Sequence, residues 1–263
     1  MPIGHWLMRI ATNACLNELA KRRRRGLPQL ERAPGTSIDQ IERLEAADWI
    51  TPAPDSQLFA PPLRALETRE TVALAFLALL QQLPPRQRAV LLLKDVVGWS
   101  AEEIAAALEM SLASVNSALH RARVAVAAGP RDVAPDPPPD VLREYIRSWE
   151  EHDVESLVGL LRDDVVLAMP PHSTWFRGAR VGEFLRSARF HQFWAQGVRL
   201  ATTRANGQLA FVFYVIDGDG YRRHSIQLVE MVEGRLAQAI QFIGDDYLRG
   251  FAQSPTFDLS SSA

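Results

Sequence analysis

One cysteine, Cys15, stands in 263 residues, which excludes an internal disulfide framework and any multi-cysteine zinc site. Long apolar runs are missing as well: none approaches the roughly 20 residues that span a bilayer. The start, Met1 through Trp6, lacks the basic head and apolar stretch of a signal peptide. Charge of either sign is not in large excess, with a net of −2 at pH 7. These absences predict a cytoplasmic protein with no membrane partner, no metal and no cofactor. What remains is ordinary globular composition, 47% hydrophobic and 23% charged, with room for about two domains.

The charge that is present is unevenly spread. Residues 1–134 hold 16 Lys/Arg against 14 Asp/Glu, and residues 135–263 hold 13 against 17. Any nucleic acid is therefore expected on the N-terminal half. Trp6–Arg25 reads as one helix, with Leu7, Ile10, Ala14 and Leu16 near helical spacing and a basic run before Gly26. Basic residues suit a helix C-terminus. Five in a row exceed what capping needs, so Arg22, Arg23 and Arg24 are candidate phosphate contacts. Residues 26–66 carry Pro28, Pro34, Pro52, Pro54, Pro61 and Pro62 around a short amphipathic piece, Ile38–Ala47. That length and texture predict a tether between two modules.

Residues 67–128 form a helical unit with four expected helices, among them Thr71–Leu83 and Pro85–Val96. Ser100 and Glu103 make a capping box, Glu109-Met110 leaves a tight turn, and Ser111 caps the last helix. The outline is a helix-turn-helix. In the last helix Val115, Ala118, Leu119 and Ala122 should face the core, leaving Ala113, Ser114, Asn116, Ser117, His120, Arg121 and Arg123 outward. Asn reads adenine bidentately, and Ser or His can donate or accept at a groove edge. Arg121 and Arg123 are better placed for phosphates. An ordinary helical hairpin with a solvated polar face fits the same pattern, and the residues alone leave both readings open.

Leu83-Pro84-Pro85-Arg86-Gln87-Arg88-Ala89-Val90-Leu91, Gly98-Trp99-Ser100, Glu102-Glu103-Ile104-Ala105 and Ser111 through Arg123 resemble region four of bacterial sigma factors. The ending Leu119-His120-Arg121-Ala122-Arg123 resembles the extracytoplasmic-function group in particular. Trp6 through Cys15 is similar to the end of region two, so residues 1–25 read as its last helix and the start as internal to a longer reading frame. The resemblance implies promoter DNA and core RNA polymerase as partners: region four on the upstream promoter element and the β-subunit flap, region two on the clamp. Many members carry Lys and Arg where Asn116 and Ala118 stand, which implies weaker and less salt-sensitive DNA binding.

Beyond a second Pro-rich linker, 129–140, the texture changes. Helices are expected at Val141–Trp149, Val154–Leu161 and Arg180–Ala188, and strands at Val165–Met169, Val198–Arg204, Leu209–Ile216, Tyr221–Val232 and Arg235–Ile243. Hairpin turns fall at Asn206-Gly207 and Glu233-Gly234. Helices followed by a strand meander make an α+β domain. Residues 141–251 resemble the SnoaL-like cone, carried by Trp149-Glu150, Met169-Pro170-Pro171 and Trp175-Phe176-Arg177-Gly178. Sigma factors with this appendage form a subgroup that the connector Trp49-Ile50-Thr51-Pro52-Ala53-Pro54-Asp55 also fits. The expected fold is thus an all-α region-four domain, then an α+β SnoaL-like domain and a flexible tail, 252–263.

Candidate pocket residues are Trp149, Met169, His172, Trp175, Tyr214, His224 and Phe242, with Tyr221 and Gln227 near His224. Neither histidine has a carboxylate partner legible in the sequence, and a lone histidine is more often structural. The expected protein is not an enzyme. It is a sigma factor whose C-terminal domain modulates it through a small-molecule ligand or an intramolecular contact. The alternatives are a stand-alone DNA-binding regulator and a SnoaL-like isomerase, cyclase or hydrolase fused to a helix-turn-helix.

Overall fold

A computed structural model describes residues 3–21, 25–39, 41, 49–58, 74–127 and 135–251. Its helical body comprises α1 (Ile3–Lys21), α2 (Leu74–Gln82), α3 (Pro85–Leu91), α4 (Ala101–Leu108) and α5 (Leu112–Ala127). Pro85 occupies the first turn of α3, where its missing N–H costs nothing. The helix expected to run on to Val96 does so as a π turn, Leu92–Val96. Val90, Leu93, Ile104, Leu108, Val115 and Ala118 form the core of this body, and Leu16 of α1 packs against it. Arg88 is buried there, and its guanidinium donates to the carbonyls of Gln81 (2.9 Å) and Leu83 (3.2 Å) at the end of α2. Those carbonyls have no intrahelical donor, and Gln81 Oε1 accepts from the same guanidinium at 3.1 Å.

The second body opens with α6 (Pro139–Glu150) and α7 (Val154–Gly159). Then come β1 (Leu161–Ala168), β2 (Trp175–Arg177), α8 (Ala179–Leu185), α9 (Ala188–Trp194), β3 (Val198–Ala205), β4 (Gln208–Asp217), β5 (Gly220–Val232) and β6 (Arg235–Ile243). The sheet runs β2-β1-β6-β5-β4-β3, with β1 and β6 parallel and the other pairs antiparallel. Asn206 and Gly207 both have positive φ, 54° and 72°, as the two-residue hairpin between β3 and β4 requires. Three details differ from expectation. The helix expected over Val154–Leu161 ends at Gly159, and β1 begins at Leu161 rather than at Val165. The helix expected over Arg180–Ala188 is interrupted at Ser187, which takes an extended conformation and accepts the Phe190 N–H to start α9. The three-residue strand β2 is too short to carry a periodic signal.

Strand alternation divides the sheet's apolar side chains between two cores. Leu209, Phe211, Phe213 and Val215 of β4 face the inner core beneath α6–α9, where Tyr145, Trp149, Phe184, Phe190 and Trp194 pack. Ala210, Val212 and Tyr214 face the other side with Ile226, Leu228, Ile240 and Phe242. That outer face is covered by the connector after α1 and by the segment after β6, which brings Tyr247, Leu248 and Phe251. Leu27 and Ile50 join the outer core, Trp49 is 1% exposed, and its indole N–H donates to the Pro171 carbonyl at 3.2 Å.

The tether expected over 26–66 is therefore, in its described part, a strap docked on the C-terminal sheet. Asn206 N–H donates to the Ala53 carbonyl (3.0 Å), and the Asn206 side-chain oxygen accepts the Ala53 N–H (2.9 Å). Gly207 N–H donates to Asp55 at 2.7 Å, and Gly35 N–H to the Trp175 carbonyl at 2.7 Å. Arg204 pairs with Asp55 (3.5 Å) and with Asp136 of the second linker (2.7 Å). Prolines that withdraw backbone donors leave the chain extended and adhesive on an apolar sheet. Most of the Ile38–Ala47 piece lies outside the described residues, but Ile38 and Ile41 pack against the inner core.

Candidate nucleic-acid interface and internal cavity

Local chemistry sets the helix-turn-helix. Ser100 accepts the Glu103 N–H at 3.2 Å while Glu103 accepts the Ser100 N–H at 2.8 Å, the reciprocal capping box read from the sequence. Glu109 ends α4 in the left-handed region, φ 53°, turning the chain sharply into Met110. Ser111 then accepts the Ser114 N–H at 3.1 Å at the start of α5. Val115, Ala118 and Ala122 anchor α5 inward. The opposite face presents Ala113, Ser114, Asn116, Ser117 and His120, all exposed.

The arginines of α5 have partners already. Arg121 donates to Ser117 at 2.6 Å, one turn back. Arg123 makes a two-pronged contact with Asp95 on the π turn, at 3.2 and 2.5 Å, and this hydrogen bonding raises its pKa. The expectation of Arg123 as a free phosphate contact thus meets a competing carboxylate. Arg22, Arg23 and Arg24 lie outside the described residues. Across the turn, Arg9 of α1 pairs with Glu109.

In the C-terminal body the sheet and α6–α9 enclose an inner chamber lined by Tyr145, Trp149, Leu157, Phe184, Gln227 and Leu236, among others. An outer cavity of about 240 Å³ adjoins it, lined by Ile41, His172, Arg189, Phe193, His224 and Ile243. Met169, Phe184, Phe190 and Gln241 line both. A hydrogen-bonded row crosses this space. Tyr145 donates to Gln227, Gln227 to Gln241 (3.2 Å), Gln241 to Ser225 (2.9 Å), and Ser225 lies 3.1 Å from His224 Nδ1. Burial pushes the Tyr145 phenol up and holds His224 below its usual range, with Arg222 adding to the latter. Among the described residues no Asp or Glu lines either chamber.

Of the expected pocket residues, the fold brings Met169, His172 and His224 together at the mouth and sets Trp149 in the inner chamber. Trp175, Tyr214 and Phe242 are corrected: all three lie on the outer face, in the core beneath the strap. The reason is register, since Phe213 takes the inward position of β4 and its neighbour Tyr214 must point away. His172 Nδ1 is 3.0 Å from the Met169 carbonyl, and His224 packs on Phe193 with ring centres 4.8 Å apart. Sequence reasoning missed Tyr145, Arg189, Ser225 and Gln241. A usable signal was present in β5, where Ser225 and Gln227 alternate with the apolar Ile226 and Leu228.

Among the described residues no helix is long and apolar enough to cross a membrane, and no cluster of three or more His, Cys, Asp or Glu could hold a metal. Residues 73–126 match the family model for sigma-70, region 4, so the helical body is a sigma-type promoter-recognition module. Over 248 residues the chain is 39% identical to the ECF RNA polymerase sigma factor SigG of Mycobacterium tuberculosis, a match covering 90% of this chain and 67% of that one. It is 32% identical over 107 residues to SigJ of the same organism, covering 40% of this chain and 34% of that one. The crystal structure of Mycobacterium tuberculosis SigJ superposes with a TM-score of 0.56 at 19% identity, covering 96% of this chain and 83% of that one. The chain belongs to the ECF RNA polymerase sigma factors and acts as a sigma factor in transcription initiation. Its fold is an all-α region-four domain followed by an α+β SnoaL-like domain.

Proposed function

We propose that this sigma factor reads the upstream promoter element with α5, while its C-terminal domain governs the presentation of the helical body by holding the connector. Ala113, Ser114, Asn116, Ser117 and His120 meet base edges, with Asn116 bidentate to an adenine and Arg121 near a phosphate. Ser111 holds the start of the helix at the groove. Arg22, Arg23 and Arg24 serve the backbone. The β-subunit flap is the polymerase partner of region four, and the clamp that of region two. The working compartment is the cytoplasm, and the domain limits are those of the sequence reading, with the strap functionally part of the C-terminal unit.

The observation that carries this reading is the strap: Trp49, Ala53 and Asp55 are bonded to Pro171, Asn206 and Gly207 on the sheet. Whatever releases the connector changes the distance available between the segments it joins. The domain works without turnover, supported by a cavity with no Asp or Glu among the described residues that line it. Promoter-dependent transcription with core RNA polymerase tests the scheme. Trp49→Ala, which loosens the strap and leaves α5 intact, should change initiation at least severalfold. Wild-type initiation from a variant with a demonstrably loosened strap would sink it.

A further inference from the structure

The cavity's chemistry is specific enough to name a ligand class, and this step rests on the reading of the C-terminal domain as a regulatory unit. The inner chamber is lined almost wholly by apolar side chains, among them Leu157, Val181, Leu236 and Ala239. The inner chamber has only about 30 Å³ of room, and it opens through shared residues into the larger outer cavity of about 240 Å³. Phe184, Phe190, Phe193 and Ile243 make much of that outer wall apolar as well. Polarity is concentrated at the outer end. Arg189 is exposed on α9 and lines that mouth with His172 and His224.

The hydrogen-bonded row sets the direction of the mouth. Gln241 spends its N–H on Ser225, so the Ser225 hydroxyl has its own proton to give His224 Nδ1. In that arrangement the imidazole carries its proton on Nε2, as a donor. A guanidinium and an imidazole N–H, with no acidic side chain among the described residues lining the cavity, call for an anionic acceptor. One further wall is informative: Ile41, which lines the outer cavity, belongs to the connector and not to the C-terminal domain. Nearby, Pro171 beside His172 takes the Trp49 indole.

We propose that the cone binds an aliphatic carboxylate, head at Arg189 and His224 and chain along Phe184, Phe190, Phe193 and Ile243 of the outer cavity, and that Ile41 completes the site so that occupancy tightens the strap. The ligand then stabilises the docked connector by mass action, since the wall it needs is present only in that state.

The test is calorimetric titration of the full chain with sodium hexanoate, octanoate and decanoate, with 1-decanol as the uncharged counterpart. Affinity should rise about fourfold per methylene until the outer cavity is full. Arg189→Gln, at an exposed position that leaves the core alone, should weaken decanoate about tenfold and leave decanol unchanged. Amide exchange at Ile50 and Ala53 should slow on addition of decanoate. Absence of saturable binding overturns the site, equal loss for decanol in the variant overturns the anionic head, and unchanged exchange on saturation overturns the link to the strap. Each readout is independent of transcription. Decanoate binding beside wild-type initiation from the Trp49→Ala variant would keep the site and remove the regulatory reading. Altered initiation without binding would do the reverse.

Discussion

Replacing Trp49 by Ala should undock the connector without unfolding either body. The side chain is 1% exposed, and burial of an indole removes on the order of 200 Å² from water. At about 25 cal/mol per Å² this is an upper value of about 5 kcal/mol. Partial collapse of the site brings the expected loss into the range of about 3–5 kcal/mol seen for buried aromatic truncations. The hydrogen bond to Pro171 is included in that loss at about 1 kcal/mol, so Trp49→Phe should cost much less. Because the strap is held on one sheet face by few contacts, the loss falls on local opening. Exchange of the Asn206 and Gly207 amides, which donate to Ala53 and Asp55, should accelerate about a hundredfold or more. Amides of α4 and α5 should keep their protection. Native-state hydrogen exchange read by mass spectrometry resolves these segments. Unchanged exchange across 49–58 and 204–208, or equal acceleration throughout the helical body, would refute the reasoning.

Three further outcomes follow from the geometry. Asp95→Ala frees Arg123 for a phosphate, so DNA affinity should rise and the slope of log K against log salt should steepen by about one, measured by anisotropy across a salt series. Ser100→Ala removes one side of the capping box and should lower stability by about 1 kcal/mol in thermal or denaturant unfolding, with Ser100→Gly costing less. His224 has a pKa held below its ordinary 6.5, so the folded state resists protonation. Stability is level above about pH 6.5 and declines as pH falls below it, and His224→Asn should flatten that part of the curve. Superimposable wild-type and variant curves from pH 7 to 5 would remove the argument.

Much of the helical body was legible because its signals are local. The capping box at Ser100 and Glu103, the Ser111 cap and the apolar spacing of Val115, Ala118 and Ala122 each act within one turn or two. The same holds for the hairpins at Asn206-Gly207 and Glu233-Gly234, where positive φ is a property of two residues. The sigma resemblance in those runs brought the fold class and the family with it. Less legible was α9, whose start depends on one serine turning extended inside a helical pattern.

Tertiary structure alone decided the rest. Strand β4, Leu209 to Val215, is apolar at every position, so its pattern does not say which alternate set faces the cone. A shift of one residue exchanges the two faces, and only pairing across the sheet placed Phe213 inside and Tyr214 outside. A strand buried on both sides implies a second cover, and beside Tyr247, Leu248 and Phe251 part of that cover came from a Pro-rich segment some 150 residues away, as Trp49, Ala53 and Asp55 show. The mouth of the cavity was likewise assembled from Ile41, His172, Arg189 and His224 on separate elements. Contacts of such sequence separation leave no periodic trace in the chain, because each partner's local conformation is satisfied equally well without the other.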